Sequence, residues 1–209
     1  MPAEIRDQLL AATKVVLLIL NQPIPDSQST LFDSLWQRGK YLQYAGHCIP
    51  APRDLSAQNV PALTHLDDNT TDFMKALSYI DDRVVGDNMV IVFGDFGGRL
   101  DHAMHTLHVL NNEGKRRKIM MITPQNIVFA IRKGTTKILF DKDVDGPACG
   151  LLPLAGPVRL TTCGLRWNLD DHESSFEGMM STSNIIDGPE VIVSTTNTII
   201  WTGEFRATK

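Results

Sequence analysis

One stretch of the chain, residues 90–110, constrains the fold more than any other. It opens with four consecutive apolar residues, VIVF, which predict a buried strand. Three glycines then fall within positions 94–98 and predict a tight turn. The residues after the turn have the apolar spacing of a helix, at Leu100, Met104 and Leu107. The stretch therefore predicts a strand, a glycine turn and a helix joined as one unit of an α/β fold.

The turn in this unit has the composition of a phosphate and metal site. Gly97 and Gly98 lack a Cβ, so the backbone can approach a ligand closely, and the first N–H groups of a helix attract an anion. Arg99 adds a planar cation suited to phosphate, and Asp101 adds a hard oxygen ligand suited to Mg²⁺. Glycine turns also join strands to helices for structural reasons alone, and this motif by itself leaves that alternative open.

The composition excludes some classes of protein. The chain has 209 residues, of which 43% are hydrophobic, enough to bury the core of one large domain or two small ones. The net charge of −4 argues against a nucleic-acid surface. The one dense basic run, at 115–118, is interpreted as a solvated turn between a helix and a strand. We therefore expect no nucleic-acid partner.

Cysteine spacing and hydropathy indicate a soluble intracellular protein. The three cysteines lie far apart in the sequence, without a CxxC metal pattern or a disulfide framework. The apolar run at 15–20 is too short for a signal sequence or a membrane span. We therefore expect a cytoplasmic protein with no membrane partner.

The first half of the chain has the pattern of alternating helices and strands. The predicted elements are a short helix at 3–13, a strand at 15–20, a helix at 31–38 and a strand at 40–45. Ser27 or Ser29 is expected to cap the helix at 31–38. The segment 46–68 contains several prolines and little periodicity, so it is predicted to be a long loop.

A second junction between a loop and a helix repeats the chemistry of the glycine turn. Thr70 or Thr71 is expected to cap a helix whose buried face carries Phe73, Met74, Leu77 and Ile80. Asp72 falls in the first turn, where it either balances the helix dipole or binds a metal. Phosphoryl transfer needs carboxylates for Mg²⁺ and cations for the charge of the transition state, and Lys75 and Arg99 supply the cations.

The pattern changes after residue 118. Short segments rich in β-branched residues are separated by Gly, Pro, Asn and Asp, and no helix is predicted among them. The predicted strands are 119–122, 127–131, 136–140, 158–162, 191–195 and 198–201. The expected fold class is therefore α/β followed by all-β. An N-terminal parallel-sheet α/β nucleotide domain spans 1–131, and a C-terminal β-sandwich or jelly-roll domain spans 132–209.

Five motifs occur in order along the chain: TTDFMKAL (70–77), GGRLDH (97–102), GLRWNL (164–169), STSN (181–184) and IIWT (199–202). Together they resemble the eukaryotic thiamin pyrophosphokinase family. Several motifs in order are more specific than any one of them. The resemblance implies a homodimer that joins an α/β nucleotide domain to a β-sandwich. It also implies transfer of pyrophosphate from ATP to the hydroxyl of thiamin, with Mg²⁺, giving thiamin diphosphate and AMP.

The resemblance further implies a role for each matching residue. The implied nucleotide-binding residues are Thr71, Asp72, Lys75, Gly97, Gly98 and Arg99. Asp72 and Asp101 are implied as metal ligands, and these two with Arg99 as catalytic residues. The implied thiamin-side residues are Asp68, Trp167, Ser181, Ser183, Asn184 and Trp201. A tryptophan face suits a flat cationic ring, but either tryptophan can instead be a core residue, and a lone STSN can instead be a polar turn.

The chain departs from the family pattern in its first half. The family carries an ADG-type motif after its second strand and a GDFDS motif after its third, and their aspartates contribute to the metal site. Neither motif is found in this sequence, so the resemblance implies an internal deletion around 46–68. The alternative function is a catalytically impaired or inactive thiamin-binding isoform. A third candidate is a transferase for another hydroxylated cationic heterocycle.

Overall fold

Four parallel strands form one end of the main sheet. In a computed structural model, which describes residues 15–20, 24, 26–36, 40–43, 69–83, 88–142 and 145–206, these strands are β1 (Val15–Ile19), β2 (Lys40–Gln43), β3 (Met89–Phe93) and β4 (Lys118–Ile122). β3 lies between β1 and β4, and β2 pairs with the outer side of β1. Every residue of β1 and β3 is buried, because packed elements cover both faces of the sheet.

Helices in the described segments cover both faces of this parallel region. α1 (Asp26–Trp36) lies on one face, where Phe32 packs edge-on against Phe93 with ring centroids 5.4 Å apart. α2 (Asp72–Arg83) and α3 (Leu100–Glu113) cover the other face. Each face receives alternate side chains of β1 and β3, since successive side chains of a strand point to opposite sides.

Antiparallel strands continue the same sheet and add a second one. The strands after β4 are β5 (Asn126–Ile131), β6 (Gly134–Leu139), β7 (Asp145–Leu152), β8 (Val158–Cys163), β9 (His172–Ser174), β10 (Ser181–Ile185), β11 (Glu190–Thr195) and β12 (Ile199–Phe205). Within the described residues the main sheet has eight strands in the order β10-β7-β12-β5-β4-β3-β1-β2, and the second sheet has four in the order β6-β11-β8-β9. The pairing of β4 with β5 joins the parallel half to the antiparallel half.

The four-stranded sheet packs on the antiparallel half of the main sheet. β8 alternates buried and exposed residues, and its buried Val158 and Leu160 share a core with Phe129 and Trp201 of the main sheet. α3 covers the opposite face of this region through contacts with β5 and β12. The second half is thus a β-sandwich whose larger sheet continues into the parallel half.

The predicted α/β region followed by a β-rich region is confirmed. Each strand predicted in the second half is present, with its ends shifted by a few residues. The structure adds β7, β9 and β10, which the sequence pattern does not predict. β7 contains Gly and Pro, which are depleted in strands, and β10 is polar, so neither shows the usual apolar alternation.

α1 begins earlier than the sequence pattern predicts. It starts at Asp26, so Ser27 and Ser29 lie within the helix, and the prediction that one of them caps it is wrong. The Ser29 hydroxyl donates to the backbone carbonyl of Asp26 at 2.7 Å. This bond is typical of a short polar side chain inside a helix, which can bond back to the preceding turn.

Three apolar residues with helical spacing are exposed: Leu100 and Met104 lie in the helix that their spacing predicts, whereas the predicted burial of Met74 is wrong. The exposed fraction is 40% for Met74, 75% for Leu100 and 44% for Met104. The buried residues of α3 lie in its C-terminal half, at Val109 and Leu110, so its first turns lie off the packed surface. Helical spacing identifies one face of a helix, but not how much of its length the sheet supports.

Two predicted elements, the helix at 3–13 and the loop at 46–68, lie outside the described residues. Among the residues that the structure does describe, no helix has the length and the apolar character needed to cross a membrane.

Replacing Ile91 by alanine is expected to lower the free energy of unfolding by about 2–5 kcal/mol, because Ile91 is fully buried in β3. Leu100→Ala is the matched control. This side chain is exposed, so its loss is expected to change the free energy of unfolding by no more than about 0.5 kcal/mol. Urea unfolding followed by circular dichroism measures both changes. Equal losses in the two variants would contradict the exposure of the first turn of α3.

Candidate functional site

The order of the parallel strands marks a switch point at their carboxyl ends, where open α/β sheets form a crevice. β2 pairs with one side of β1, whereas β3 pairs with the other side. Ligands of open α/β sheets bind at such a switch point, outside the carboxyl ends of the strands. Those ends lie side by side here, since the Leu20 N–H donates to the Phe93 carbonyl at 2.9 Å. The glycine turn leaves β3 at this crevice.

The turn between β3 and α3 presents backbone at the start of the helix. Gly98 has a φ of 89°, a conformation that favours glycine, and a Cβ at this position would meet nothing within 4 Å. Arg99 occupies the cap position of α3, and its side chain makes no capping hydrogen bond. The first N–H groups of a helix have no partner within the helix, so a start of this kind suits an anion.

Arg99 and Asp101 form an exposed ion pair at the start of α3. Arg99 Nη2 donates to Asp101 Oδ2 at 2.5 Å, and Arg99 Nε donates to Oδ1 at 3.1 Å. The hydrogen bonds from Arg99 lower the pKa of Asp101, so this carboxylate is charged at neutral pH. The two side chains are 71% and 61% exposed, so a ligand can reach both charges from solution.

The start of α2 also carries one acidic and one basic side chain close together. Thr71 Oγ1 accepts the Met74 N–H at 3.4 Å, which is the capping role predicted for Thr70 or Thr71. Asp72 is the first residue of the helix, and the Lys75 ammonium lies 4.0 Å from its Oδ1. The Lys75 side chain is largely buried, so its charge is held near Asp72.

A hydrogen bond between the helices brings these two starts together. Thr71 Oγ1 and His105 Nε2 are 2.9 Å apart. His105 lies one turn after Asp101, and residues four apart share a helix face. Thr71, Asp72 and Asp101 are therefore gathered at one edge of the sheet. The sequence analysis missed His105, for which the only available indication is its spacing of four from Asp101.

The acidic residues at this edge have the chemistry of a magnesium site but do not form a closed cluster. Among the described residues, no group of three or more His, Cys, Asp or Glu side chains is placed to hold a metal. Mg²⁺ is commonly bound by one or two carboxylates together with substrate phosphates. Asp72 and Asp101 fit that pattern, in which the phosphates complete the site.

The two candidate tryptophans differ in their exposure to solvent. Trp201 is 2% exposed and packs on Phe129 with ring centroids 6.3 Å apart. Trp167 is 57% exposed, and the Arg166 guanidinium lies 5.8 Å from its ring centre. Trp167 therefore presents ring surface to solvent, whereas Trp201 is a core residue. The candidate role of Trp201 in ligand binding is corrected to a role in packing.

Asn184 holds the Trp167 backbone through its side-chain amide. Its Nδ2 donates to the Trp167 carbonyl at 2.9 Å, and its Oδ1 accepts the Trp167 N–H at 3.2 Å. The same amide donates to the Ser181 hydroxyl at 3.2 Å and accepts the Ile185 N–H at 2.8 Å. Asn184 is buried, and these partners are internal, so it orders the loop that carries Trp167.

The two candidate serines also lie in different environments. Ser181 is buried beside Asn184, whereas Ser183 is exposed, with a φ of 57°. The register of β10 against β7 shifts between Ser181 and Asn184, and such an irregularity re-aims side chains. STSN is therefore part of a strand rather than a turn. Asp68, the remaining candidate on this side, lies outside the described residues.

The fold is that of an α/β protein whose sheet is extended by a β-sandwich. Two family models match the chain. Residues 51–123 match the catalytic domain of thiamin pyrophosphokinase. Residues 135–200 match the vitamin B1 binding domain of thiamin pyrophosphokinase.

The curated relatives that match this chain are named thiamine pyrophosphokinases. Thiamine pyrophosphokinase 1 of Oryza sativa subsp. japonica is 34% identical over 145 residues, which cover 67% of this chain and 55% of the relative. Thiamine pyrophosphokinase 1 of Arabidopsis thaliana is 29% identical over 147 residues, which cover 68% of this chain and 55% of the relative. The chain therefore spans about half the length of the curated relatives it matches.

Solved structures share the fold. The crystal structure of yeast thiamin pyrophosphokinase has a TM-score of 0.75 at 20% identity, covering 96% of this chain and 90% of that one. Thiamine pyrophosphokinase from Bacillus subtilis has a TM-score of 0.72 at 17% identity, covering 90% of this chain and 98% of that one. Together with the two domain matches, these likenesses show that the chain belongs to the thiamin pyrophosphokinase family.

Asn184→Ala is expected to loosen the Trp167 loop and to lower the free energy of unfolding by about 1–3 kcal/mol, because buried backbone groups lose their partner. Acrylamide quenching of tryptophan fluorescence measures how accessible the Trp167 indole is. The Trp167 signal is the difference in fluorescence between each protein and its Trp167→Phe counterpart. We expect stronger quenching in Asn184→Ala. Thr182→Ala, at an exposed position of the same strand, is the control. Unchanged quenching in Asn184→Ala would count against the role assigned to this amide.

Proposed function

We propose that the chain transfers pyrophosphate from ATP to the hydroxyl of thiamin, giving thiamin diphosphate and AMP. The observation that carries this proposal is the meeting of two helix starts, each with an acid and a base, at the switch point of the sheet. The matches to both domains of the family support the same reaction.

The triphosphate of ATP is proposed to bind between the two helix starts. Backbone N–H groups beside Gly97 and Gly98 face one phosphate. The Arg99 guanidinium lies at the same place. When ATP binds, it exchanges its hydrogen bonds to Asp101 for hydrogen bonds to phosphate oxygens, because a phosphate accepts paired N–H groups as a carboxylate does. Lys75 adds a second cation from α2.

Mg²⁺ is proposed as the metal, with Asp72 and Asp101 as its protein ligands. Transfer of Arg99 to phosphate releases Asp101 Oδ2, while Oδ1 still accepts the His102 N–H at 3.1 Å, and a carboxylate oxygen suits this hard cation. When bound, the ion neutralises charge on the phosphate oxygens and orients them. The two carboxylates come from different helices, so their separation depends on how α2 and α3 are held together.

The proposed reaction breaks one phosphoanhydride bond and forms one phosphate ester bond. The hydroxyl oxygen of thiamin attacks the β-phosphorus, and the bond from that phosphorus to the oxygen shared with the α-phosphate breaks. AMP leaves with that oxygen, and the hydroxyl proton passes to a carboxylate or to water. Positioning, together with charge stabilisation by Arg99 and Lys75, supplies most of the rate.

Trp167 is proposed as the platform for the aminopyrimidine ring of thiamin. A flat ring on a cationic ligand stacks favourably on an indole face, and Trp167 is exposed enough to offer one. Ser183 is exposed on β10 and offers a hydroxyl for a ring nitrogen or the exocyclic amine. Ser181 and Asn184 do not contact thiamin in this proposal. They hold the loop that carries Trp167 in place through hydrogen bonds.

Distances within one chain support a homodimer. Trp167 is bonded to Asn184 of β10, and β10 lies five strand steps from β3 in the main sheet. At about 4.8 Å per step the separation is about 24 Å, too far for thiamin held at Trp167 to reach a phosphate at the glycine turn. In a symmetric dimer the β10 edge of one protomer can face the crevice of its partner. We therefore propose that each active site combines residues of both protomers.

A cytoplasmic location is proposed from the cysteines. Cys149 and Cys163, the two in the described part of the chain, are both free thiols, as expected in a reducing compartment.

Product formation from ATP, Mg²⁺ and thiamin tests the proposed reaction. We expect AMP and thiamin diphosphate in equal amounts, separated by chromatography. Asp72→Ala is expected to lower kcat/KM by about 100-fold or more, because it removes a metal-binding carboxylate. Asp82→Ala, an exposed acid on the same helix, is the control and is expected to keep full activity. Thiamin binding without any product in the unaltered protein would instead support the inactive thiamin-binding alternative.

Mixed dimers test whether each active site is shared between protomers. Asp72→Ala and Trp167→Ala are each expected to be inactive alone. After subunit exchange, half of the dimers are mixed and each has one unaltered site, so about one quarter of the original activity should return. A mixture of Asp72→Ala with Asp101→Ala is the control, because both defects then lie in the same crevice. Absence of recovery in the first mixture would show that each site lies within one chain.

A further inference from the structure

A side chain outside the five motifs joins the two halves of the proposed phosphate crevice. His105 lies on α3 beyond the GGRLDH motif, and its Nε2 is 2.9 Å from Thr71 Oγ1 at the start of α2. We propose that His105 is a positioning residue that holds the start of α2 against α3 and so sets the separation of the two carboxylate-bearing turns. This role rests on the proposed function, since it concerns the ATP side of that same site.

The chemistry of the contact favours one placement of the proton. Thr71 Oγ1 accepts the Met74 N–H, so its own proton is available to donate to a neutral imidazole nitrogen. Burial lowers the pKa of His105, and the neighbouring His108 and His102 lower it further, which keeps the ring neutral at physiological pH. The bond therefore links the cap of α2 directly to α3.

The opposite end of the helix pair is held by charged groups. Asp81 near the end of α2 accepts hydrogen bonds from Arg116, at 2.7 Å, and from Arg117, both of which follow α3. The two helices therefore run side by side in the same direction, with Thr71 and His105 in contact at the near end. Two helices that are bonded to each other at both ends keep a constant spacing. Loss of the bonds at one end lets the helices separate there.

The residues proposed to face ATP lie at the His105 end of this pair. Asp72 and Lys75 occupy the first turn of α2, and Arg99 and Asp101 lie at the start of α3, one turn before His105. A triphosphate that bridges both turns needs them at a fixed separation, and a displacement of about 1 Å can cost about 100-fold in rate. Loss of the bond should therefore impair ATP binding and turnover, while thiamin binding on the β10 side stays unchanged.

Two substitutions at His105 separate hydrogen bonding from other effects. His105→Ala removes the acceptor, whereas His105→Gln places an amide close to the position of Nε2 and keeps a bond to Thr71. His108→Ala is the matched control, because His108 stacks on His105 with ring centroids 6.0 Å apart but its Nε2 bonds to Asn112 at 3.0 Å. The probe is the Mg²⁺ complex of α,β-methylene-ATP, which cannot be cleaved at the reacting bond.

We expect His105→Ala to raise the dissociation constant of this probe by about three- to tenfold, the effect of losing one hydrogen bond. The KM for ATP should rise and kcat should fall, with no change in the KM for thiamin. His105→Gln and His108→Ala should remain within about twofold of the unaltered protein. Unchanged probe affinity in His105→Ala, or an equal loss in His105→Gln, would overturn the proposal.

A double-mutant cycle with Thr71→Val tests the partner of the bond. If Thr71 and His105 act through each other, adding His105→Ala to Thr71→Val should cause little further loss of probe affinity. Full additivity of the two losses would overturn the proposal. Far-UV circular dichroism and the thermal midpoint check that each variant is folded. If His105→Ala does not fold, His105→Asn replaces it, because its amide is too short to reach Thr71.

Probe binding keeps this test separate from the test of the reaction. An unaltered protein that binds the probe but forms no thiamin diphosphate would refute the proposed reaction and leave the His105 comparison intact. Product formation with normal probe binding in His105→Ala would refute the positioning role alone. An unaltered protein that does not bind the probe would refute both.

Discussion

The pairing of β4 with β5 is the constraint on which the rest of the architecture depends. β4 is the last strand of the parallel half, β5 is the first of the antiparallel half, and their pairing makes one continuous eight-stranded sheet. A continuous sheet keeps its two ends apart, so the crevice beside β3 and the Trp167 loop beside β10 cannot close on each other. This geometry is the physical reason for the proposal that each active site combines residues of two protomers.

The sequence predicts best those elements whose packing is simplest. β1 and β3 are covered on both faces, and each therefore shows an uninterrupted apolar run that is recognisable without the structure. The burial of α3 depends on where the sheet ends, and the apolar spacing of Leu100 and Met104 contains no information about that limit. β10 is a strand because β7 pairs with it, a long-range effect that its polar sequence does not indicate.

The candidate site shows the same division between local and long-range information. Residue types at the two helix starts identify Thr71, Asp72, Arg99 and Asp101 as phosphate and metal candidates, because charge and helix position are local properties. The partners of Thr71 and Trp167 are distant in sequence, so His105 and the clamping role of Asn184 become visible only through their hydrogen bonds. Trp167 and Trp201 have identical side chains, and burial alone distinguishes the exposed ring from the core residue.

The position of β12 governs the order in which the chain can fold. It follows the other strands in sequence, yet it lies in the middle of the antiparallel half, between β5 and β7. During synthesis the parallel strands emerge first and can pair, whereas β5 and β7 each keep an unpaired edge until β12 has left the ribosome. Unpaired edges are templates for pairing with other chains. Completion of the sheet is therefore a late, long-range step, and a nascent chain arrested before β12 would be prone to aggregation.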